Sequence, residues 1–112
     1  MSDAGLIDTA ALDDLTDHIG ADAVRSIVGI FLTETRELVA TIMSAATPDV
    51  ARRAAHSLKS SAGQLGAASL SEAALAVEAA ATSGASDLPT RIAALDDCAR
   101  RTEAVLAARL AG

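Results

Sequence analysis

The stretch ARRAAHSLKSSAGQLGA at residues 51–67 carries apolar side chains at intervals of three and four residues. This spacing aligns them along one side of an α-helix that turns about 100° per residue. The aligned positions are Ala51, Ala54, Ala55, Leu58, Ala62 and Leu65. His56 falls on the opposite side of the same predicted helix, where we expect it to meet water.

The side chains predicted to surround His56 are basic or small. The neighbours within two turns on the outward face are Arg52, Arg53, Lys59, Ser60 and Gly63. Segment 51–71 contains these three basic residues and no acidic one, whereas the whole chain has a net charge of −6. The sequence therefore predicts a local cationic site on an acidic protein.

Length and composition indicate a single domain. The chain has 112 residues, 51% of them hydrophobic, and Phe31 is its one aromatic residue, so small aliphatic side chains must fill the core. The negative charge and the lack of stacking aromatics argue against nucleic acid as a partner. Cys98 is the one cysteine and has no partner for an internal disulfide. Without an export leader or an apolar run of about 18 residues, we expect a cytoplasmic protein that binds no membrane.

Glycine and proline divide the chain into five predicted helices. We expect helices over Thr9–Ile19, 22–46 and 48–65, a fourth that ends near Gly84, and a last one that runs nearly to the C-terminus. Ser69 and Glu72 predict a capping box for the fourth helix. Because short connections favour antiparallel neighbours, we predict an all-α fold, an antiparallel up-down four-helix bundle with a short additional N-terminal helix. Residues 1–7 are predicted to be a flexible N-terminus and 8–112 a single domain.

The second predicted helix carries more apolar residues than a bundle helix requires. Its core stripe is predicted at Val24, Ile27, Phe31, Leu38, Ile42 and Ala45. Leu32, Val39 and Met43 lie on the flank of that stripe. Either they extend the core beneath the short first helix, or they form a patch on which a partner protein docks.

Glu78 is predicted to lie beside His56 on the neighbouring helix. The two residues are equally distant from the turn near residue 67, so antiparallel helices would bring them level. A carboxylate there can accept the Nδ1 proton of the imidazole and leave Nε2 free as a nucleophile. A phosphoryl group on Nε2 would add about two negative charges, which Lys59 could stabilise. Taken singly, each of these residues would be ordinary helix surface.

These residues resemble the signature of histidine-containing phosphotransfer (Hpt) domains. The resemblance rests on HSLKSSA at 56–62, LGA at 65–67, Leu70 and the pair Val77-Glu78, with upstream matches at Leu12, Leu15, Gly20, Ile27 and Phe31. It implies that His56 accepts a phosphoryl group from an aspartate of one response-regulator receiver domain and passes it to another. It also implies that Lys59 stabilises the phosphoryl charge and that Glu78 orients the imidazole. Ser60 stands where the family usually has glycine, and we expect it to tune transfer mildly.

The resemblance further implies the partners. Receiver domains and a sensor histidine kinase, including hybrid kinases, are expected to bind a monomer of this chain. The expected docking surface consists of Arg52, Arg53, Ser60, Gly63, Gln64, Leu32, Val39 and Met43. Because no ATP-binding motif occurs, we expect a phosphocarrier rather than a kinase. We expect no intrinsic cofactor, and Mg²⁺ only in the partner receiver domain.

Three other hypotheses remain at this point. The chain could be a noncatalytic helical adaptor for receiver domains, or a detached phosphoacceptor module of a chemotaxis-type kinase. A metal site built from His18, His56 and Cys98 would lack ligand spacing on one helix face. His18 is instead expected to interact with the C-terminal dipole of the first helix.

Overall fold

The computed structural model describes residues 6–111, which form five α-helices. They are α1 (Thr9–Ile19), α2 (Ala21–Met43), α3 (Pro48–Gln64), α4 (Ala68–Ser83) and α5 (Leu88–Ala111). No β-strand occurs among these described residues. The prediction of an all-helical fold is confirmed, and every helix boundary that was predicted as a residue number lies within three residues of the observed one.

Local capping determines where α1 and α3 begin. The Asp8 carboxylate accepts hydrogen bonds from the backbone N–H groups of Ala10 and Ala11, which the first turn of a helix leaves without partners. The Thr47 hydroxyl accepts from the N–H of Val50 in the same way, and Pro48 follows as the first helical residue, where its missing donor costs nothing.

The predicted capping box of α4 is wrong. The helix begins at Ala68 and has no side-chain cap, so Ser69 lies inside the first turn. The N–H of the buried Ala67 donates to the carbonyl of Ala62 at 2.9 Å, directly after Gly66 turns the chain with a φ of +78°. This tight turn starts the helix before Ser69 can act as its cap.

Helices α2 to α5 form most of the core, and each of these four packs against two of the other three. Helix α3 packs on α2 and α4, α5 packs on the same two helices, and α1 lies on α2. Alanines fill much of the α3 and α4 surfaces inside the core, which lets these two helices approach closely. The largest fully buried side chains are Ile42, Leu58, Leu70, Leu95, Leu106, Val28, Val77 and Thr102.

The buried stripe of α2 differs from the predicted one. Its buried residues are Val24, Val28, Phe31, Thr35, Val39 and Ile42. Ile27, predicted to be core, is 38% exposed, whereas Val39, predicted to lie on the flank, is only 7% exposed. The difference arises at Thr35, because a polar residue in the buried stripe hides the true periodicity from a reading of apolar positions.

The chain enters the core before α1 begins. Leu6 and Ile7 are buried, and the N–H of Asp8 donates to the Gly66 carbonyl at 2.8 Å. A side chain on Gly66 would come within 3.1 Å of the Asp8 Cβ atom, so glycine permits this close approach. Residues 6 and 7, which fall within the segment predicted to be flexible, are thus packed against the core, and residues 1–5 of that segment lie outside the described residues.

Candidate functional site

His56 lies near the middle of α3 and presents its ring to solvent. Its side chain is 60% exposed, whereas the flanking Ala55 and Leu58 are fully buried. Burial of these neighbours anchors the opposite face of the helix in the core. The helix therefore cannot turn the imidazole inward without exposing apolar surface.

Glu78 of α4 contacts the ring directly. Its Oε2 atom lies 2.6 Å from Nδ1 of His56, although the two residues are 22 positions apart in the chain. Because a carboxylate only accepts hydrogen bonds, this contact requires the proton on Nδ1 of the neutral ring. The lone pair then resides on Nε2, which makes Nε2 the more nucleophilic nitrogen of the ring.

Lys59 contacts the other oxygen of the same carboxylate. Its Nζ atom donates to Oε1 of Glu78 at 2.8 Å, and both side chains are partly buried. The hydrogen bond from Lys59 is the main cause that holds the pKa of Glu78 below its usual value, and the bond from His56 adds to it, while partial burial opposes both. Glu78 is thus a carboxylate at neutral pH, as acceptance of the Nδ1 proton requires.

The two arginines before His56 share one acidic partner. Oδ1 of Asp49 accepts from Nε and Nη2 of Arg52 at 3.2 and 2.8 Å, and Oδ2 lies 3.0 Å from Nε of Arg53. The bond from Arg52 is the main cause that lowers the pKa of Asp49; partial desolvation opposes it, and the charges of both guanidinium groups add to the lowering. The predicted cationic surface is therefore partly neutralised, because Asp49 and Glu78 contribute two negative charges to it.

Three more residues predicted for the docking surface lie beyond Lys59. Ser60, Gly63 and Gln64 are all exposed in the C-terminal half of α3. A Cβ atom at Gly63 would meet the Ser71 hydroxyl at 3.7 Å, an ordinary contact distance. Packing against α4 therefore does not require glycine at position 63. Because Gly63 has no side chain, no atoms project from this part of the α3 surface.

The three predicted docking residues of α2 lie elsewhere. Leu32, Val39 and Met43 line a cavity of about 360 Å³ together with residues of α5 such as Ala99. His56, in contrast, lies on the side of α3 that meets α4. Val39 is part of the core, so the prediction that it lies on an exposed docking surface is wrong.

The α2 apolar face, Ile27 and Ile30, is a surface that the sequence analysis missed. Ile30 is 68% exposed and lies one turn before Glu34, whose Oε1 accepts a hydrogen bond from the Ser61 hydroxyl of α3 at 2.7 Å. Because Ile30 is one turn from Glu34, this contact places the α2 apolar face on the side of α2 that lies toward the C-terminal half of α3. With Thr35 assigned to the buried stripe of α2, helical spacing places Ile27 and Ile30 outside that stripe.

Among residues 6–111, no three histidine, cysteine, aspartate or glutamate side chains come together as a metal site requires. His18 bonds to the Asp14 carbonyl within its own helix, and Cys98 is buried in α5. None of the helices in this described part of the chain is long and apolar enough to cross a membrane.

Comparison with known proteins gives one result. A family model described as the Hpt domain matches residues 26–110. This match covers most of the chain, from the first half of α2 to the end of α5, and includes His56, Lys59 and Glu78. No curated protein and no solved structure matches the chain.

Proposed function

Because this chain belongs to the Hpt domain family, the phosphotransfer modules of two-component signalling systems, we propose that His56 relays a phosphoryl group between the aspartates of two receiver domains. One observation carries the proposal. An exposed imidazole has its Nδ1 atom 2.6 Å from a carboxylate, which leaves Nε2 as the free nucleophile.

The proposed transfer uses the lone pair of Nε2. It attacks the phosphorus of an aspartyl phosphate, so that a P–N bond forms while the P–O bond to the aspartate breaks and its carboxylate leaves. The ring keeps its Nδ1 proton and becomes cationic as Nε2 binds phosphorus. The Glu78 carboxylate stabilises this developing positive charge, and Lys59 offers its ammonium group to the phosphoryl oxygens.

We propose a phosphocarrier with no intrinsic cofactor. Phosphoryl transfer commonly uses Mg²⁺, but the acids beside His56 do not fit a Mg²⁺ site. Both oxygens of Glu78 are engaged by His56 and Lys59, and both oxygens of Asp49 by arginines. Any Mg²⁺ would therefore be held by the acidic residues of the receiver domain.

Receiver domains and a sensor histidine kinase are the proposed partners. Their docking surface would combine the exposed residues around His56 with the α2 apolar face. On α3 it would include Arg52, Arg53, Ser60, Gly63 and Gln64. Leu32 and Met43 are left out, because they line the groove between α2 and α5.

We further propose that α2 to α5 form an antiparallel up-down four-helix bundle that acts as a monomer. The neighbour relations support this arrangement, because α2 and α4 each lie against both α3 and α5. Only residues 65–67 separate α3 from α4, and so short a connection favours antiparallel helices.

Labelling with a phosphorylated receiver domain tests the proposed function. The protein should acquire an acid-labile, base-stable phosphoryl group that is lost in His56→Gln. The matched control is His18→Gln, because His18 is the other histidine of the chain and is also exposed. Binding of the receiver without any label would favour the adaptor hypothesis, and label retained in His56→Gln would assign the phosphoryl group to another residue.

A further inference from the structure

Asp49 contacts Arg52 and Arg53, the two arginines that lie one helical turn before His56, the proposed phosphoacceptor. Arg52 donates two hydrogen bonds to Asp49, and its side chain is 39% exposed. Arg53 makes a single close contact through Nε, and its side chain is 75% exposed. Arg53 is therefore the more easily released of the two, since an exposed ion pair contributes little stability.

Arg53 and Lys59 flank His56 symmetrically. One precedes His56 by three residues and the other follows it by three. On a helix that turns about 100° per residue, these offsets place the two side chains roughly 60° to either side of the imidazole. Lys59 lies on the side of α4, where it contacts Glu78, so Arg53 lies on the opposite side.

We propose that Arg53 is a second cation that binds the phosphoryl group of His56, and that Asp49 is a positioning residue that holds Arg53 until the group arrives. This inference rests on the proposed function. The carboxylate of Asp49 carries one negative charge, whereas a phosphoryl group carries about two and offers three acceptor oxygens. The guanidinium group therefore moves from Asp49 to the phosphoryl group, which Lys59 and Arg53 then bind from two sides.

The second pKa of the phosphoryl group on His56 depends on which cations are in contact with it. Phosphoramidate can phosphorylate the protein without a partner domain. Its P–N bond breaks, a P–N bond to Nε2 of His56 forms, and the nitrogen of phosphoramidate leaves as ammonia. The pH titration of the ³¹P signal of the phosphorylated full-length protein then gives the second pKa of the group. A cation in contact lowers this pKa because it stabilises the dianion, an effect that a merely structural role would not produce.

Arg53→Gln should raise the second pKa of the phosphoryl group by about 0.2 to 0.7 pH units. The matched control is Arg25→Gln, which removes the same charge from an exposed pair with Asp22 in the first turns of α2. It should leave the titration unchanged. Equal shifts in the two variants would overturn the proposal.

The role of Asp49 is tested by a double-mutant cycle. Asp49→Asn should lower the second pKa of the phosphoryl group, because Arg53 no longer has a competing partner. The lowering should be smaller when Arg53 is already glutamine. The same lowering in both backgrounds would mean that Asp49 acts only through its own charge, and would refute its positioning role.

The two proposals fail in distinguishable ways. If phosphoramidate produces no phosphohistidine, or if the signal persists in His56→Gln, the proposed function and the role of Arg53 are both overturned. If His56 is phosphorylated but Arg53→Gln titrates as the unsubstituted protein does, only the role of Arg53 is overturned.

Discussion

Oε2 of Glu78 lies 2.6 Å from Nδ1 of His56, while Oε1 of the same carboxylate lies 2.8 Å from Nζ of Lys59. One carboxylate thus joins the proposed phosphoacceptor to the cation proposed to stabilise its phosphorylated form. When Lys59 turns toward a phosphoryl group, Glu78 loses one partner just as the imidazole becomes positively charged. The Glu78–His56 contact should then strengthen, because the carboxylate faces a cation rather than a neutral ring.

Replacement of Glu78 by glutamine should slow phosphorylation of His56 by about ten- to a hundredfold, by analogy with the effect of removing the partner that orients a metal-binding histidine. The amide keeps the size of the side chain but loses the charge that stabilises the cationic ring. Initial rates with a phosphorylated receiver domain measure the effect. Glu72→Gln, which removes an exposed carboxylate from the same helix, is the control, and an equal rate in the two variants would argue against a role for Glu78.

The contribution of Glu78 to stability should depend on pH. Its pKa lies below the ordinary value of 4.5 in the folded protein, chiefly because of the bond from Lys59. Folding is therefore favoured above the unfolded-state pKa, and this contribution is lost as the pH falls through the folded-state pKa. The difference in free energy of unfolding between the unsubstituted protein and Glu78→Gln should be larger at about pH 5 than at about pH 3. Urea denaturation at both values checks this, and a difference that grows toward low pH would contradict it.

Replacement of Lys59 by alanine should slow loading of His56 by roughly tenfold or more, since a hydrogen bond to a charged group contributes about 1.5 to 3 kcal/mol. The protein should still fold. Loss of one partly exposed ion pair should lower the melting temperature by no more than about 8 °C. Circular dichroism melting curves beside the transfer assay separate the two effects. A large loss of stability with normal loading of the folded fraction would make Lys59 a structural residue.

The docking surface can be located with two exposed residues of the same helix. Ile30→Asp should weaken binding of a receiver domain by at least about tenfold, because it places a charge in the α2 apolar face. Met43→Asp is the matched control, since Met43 is 56% exposed and Ile30 68%, but Met43 lies on the groove between α2 and α5. Calorimetric titration of both variants decides between the surfaces. Weaker binding by Met43→Asp alone would identify the groove as the docking site.

The parts of the site that were predictable depend on helix periodicity. Three-and-four spacing places His56 on the outer face of α3, and equal distance from a short turn places Glu78 level with it. Both relationships follow from regular geometry, so the sequence sufficed to predict the contact between their side chains.

Other features depend on packing that the sequence does not display. The buried stripe of α2 passes through Thr35, and a polar residue in that stripe led to the wrong placement of Ile27 and Val39. The early start of α4 depends on the turn at Gly66. Asp49 precedes the basic segment by only two residues, but its contacts with Arg52 and Arg53 depend on side-chain conformations that spacing alone does not determine.

Identification of the phosphorylated nitrogen by ³¹P and ¹⁵N NMR of the phosphorylated protein tests the role of the Glu78–His56 contact most directly. Because Nδ1 of His56 donates its proton in a hydrogen bond to Glu78, the phosphoryl group should be bonded to Nε2. A phosphoryl group on Nδ1 of that ring, or on any other residue, would contradict this prediction.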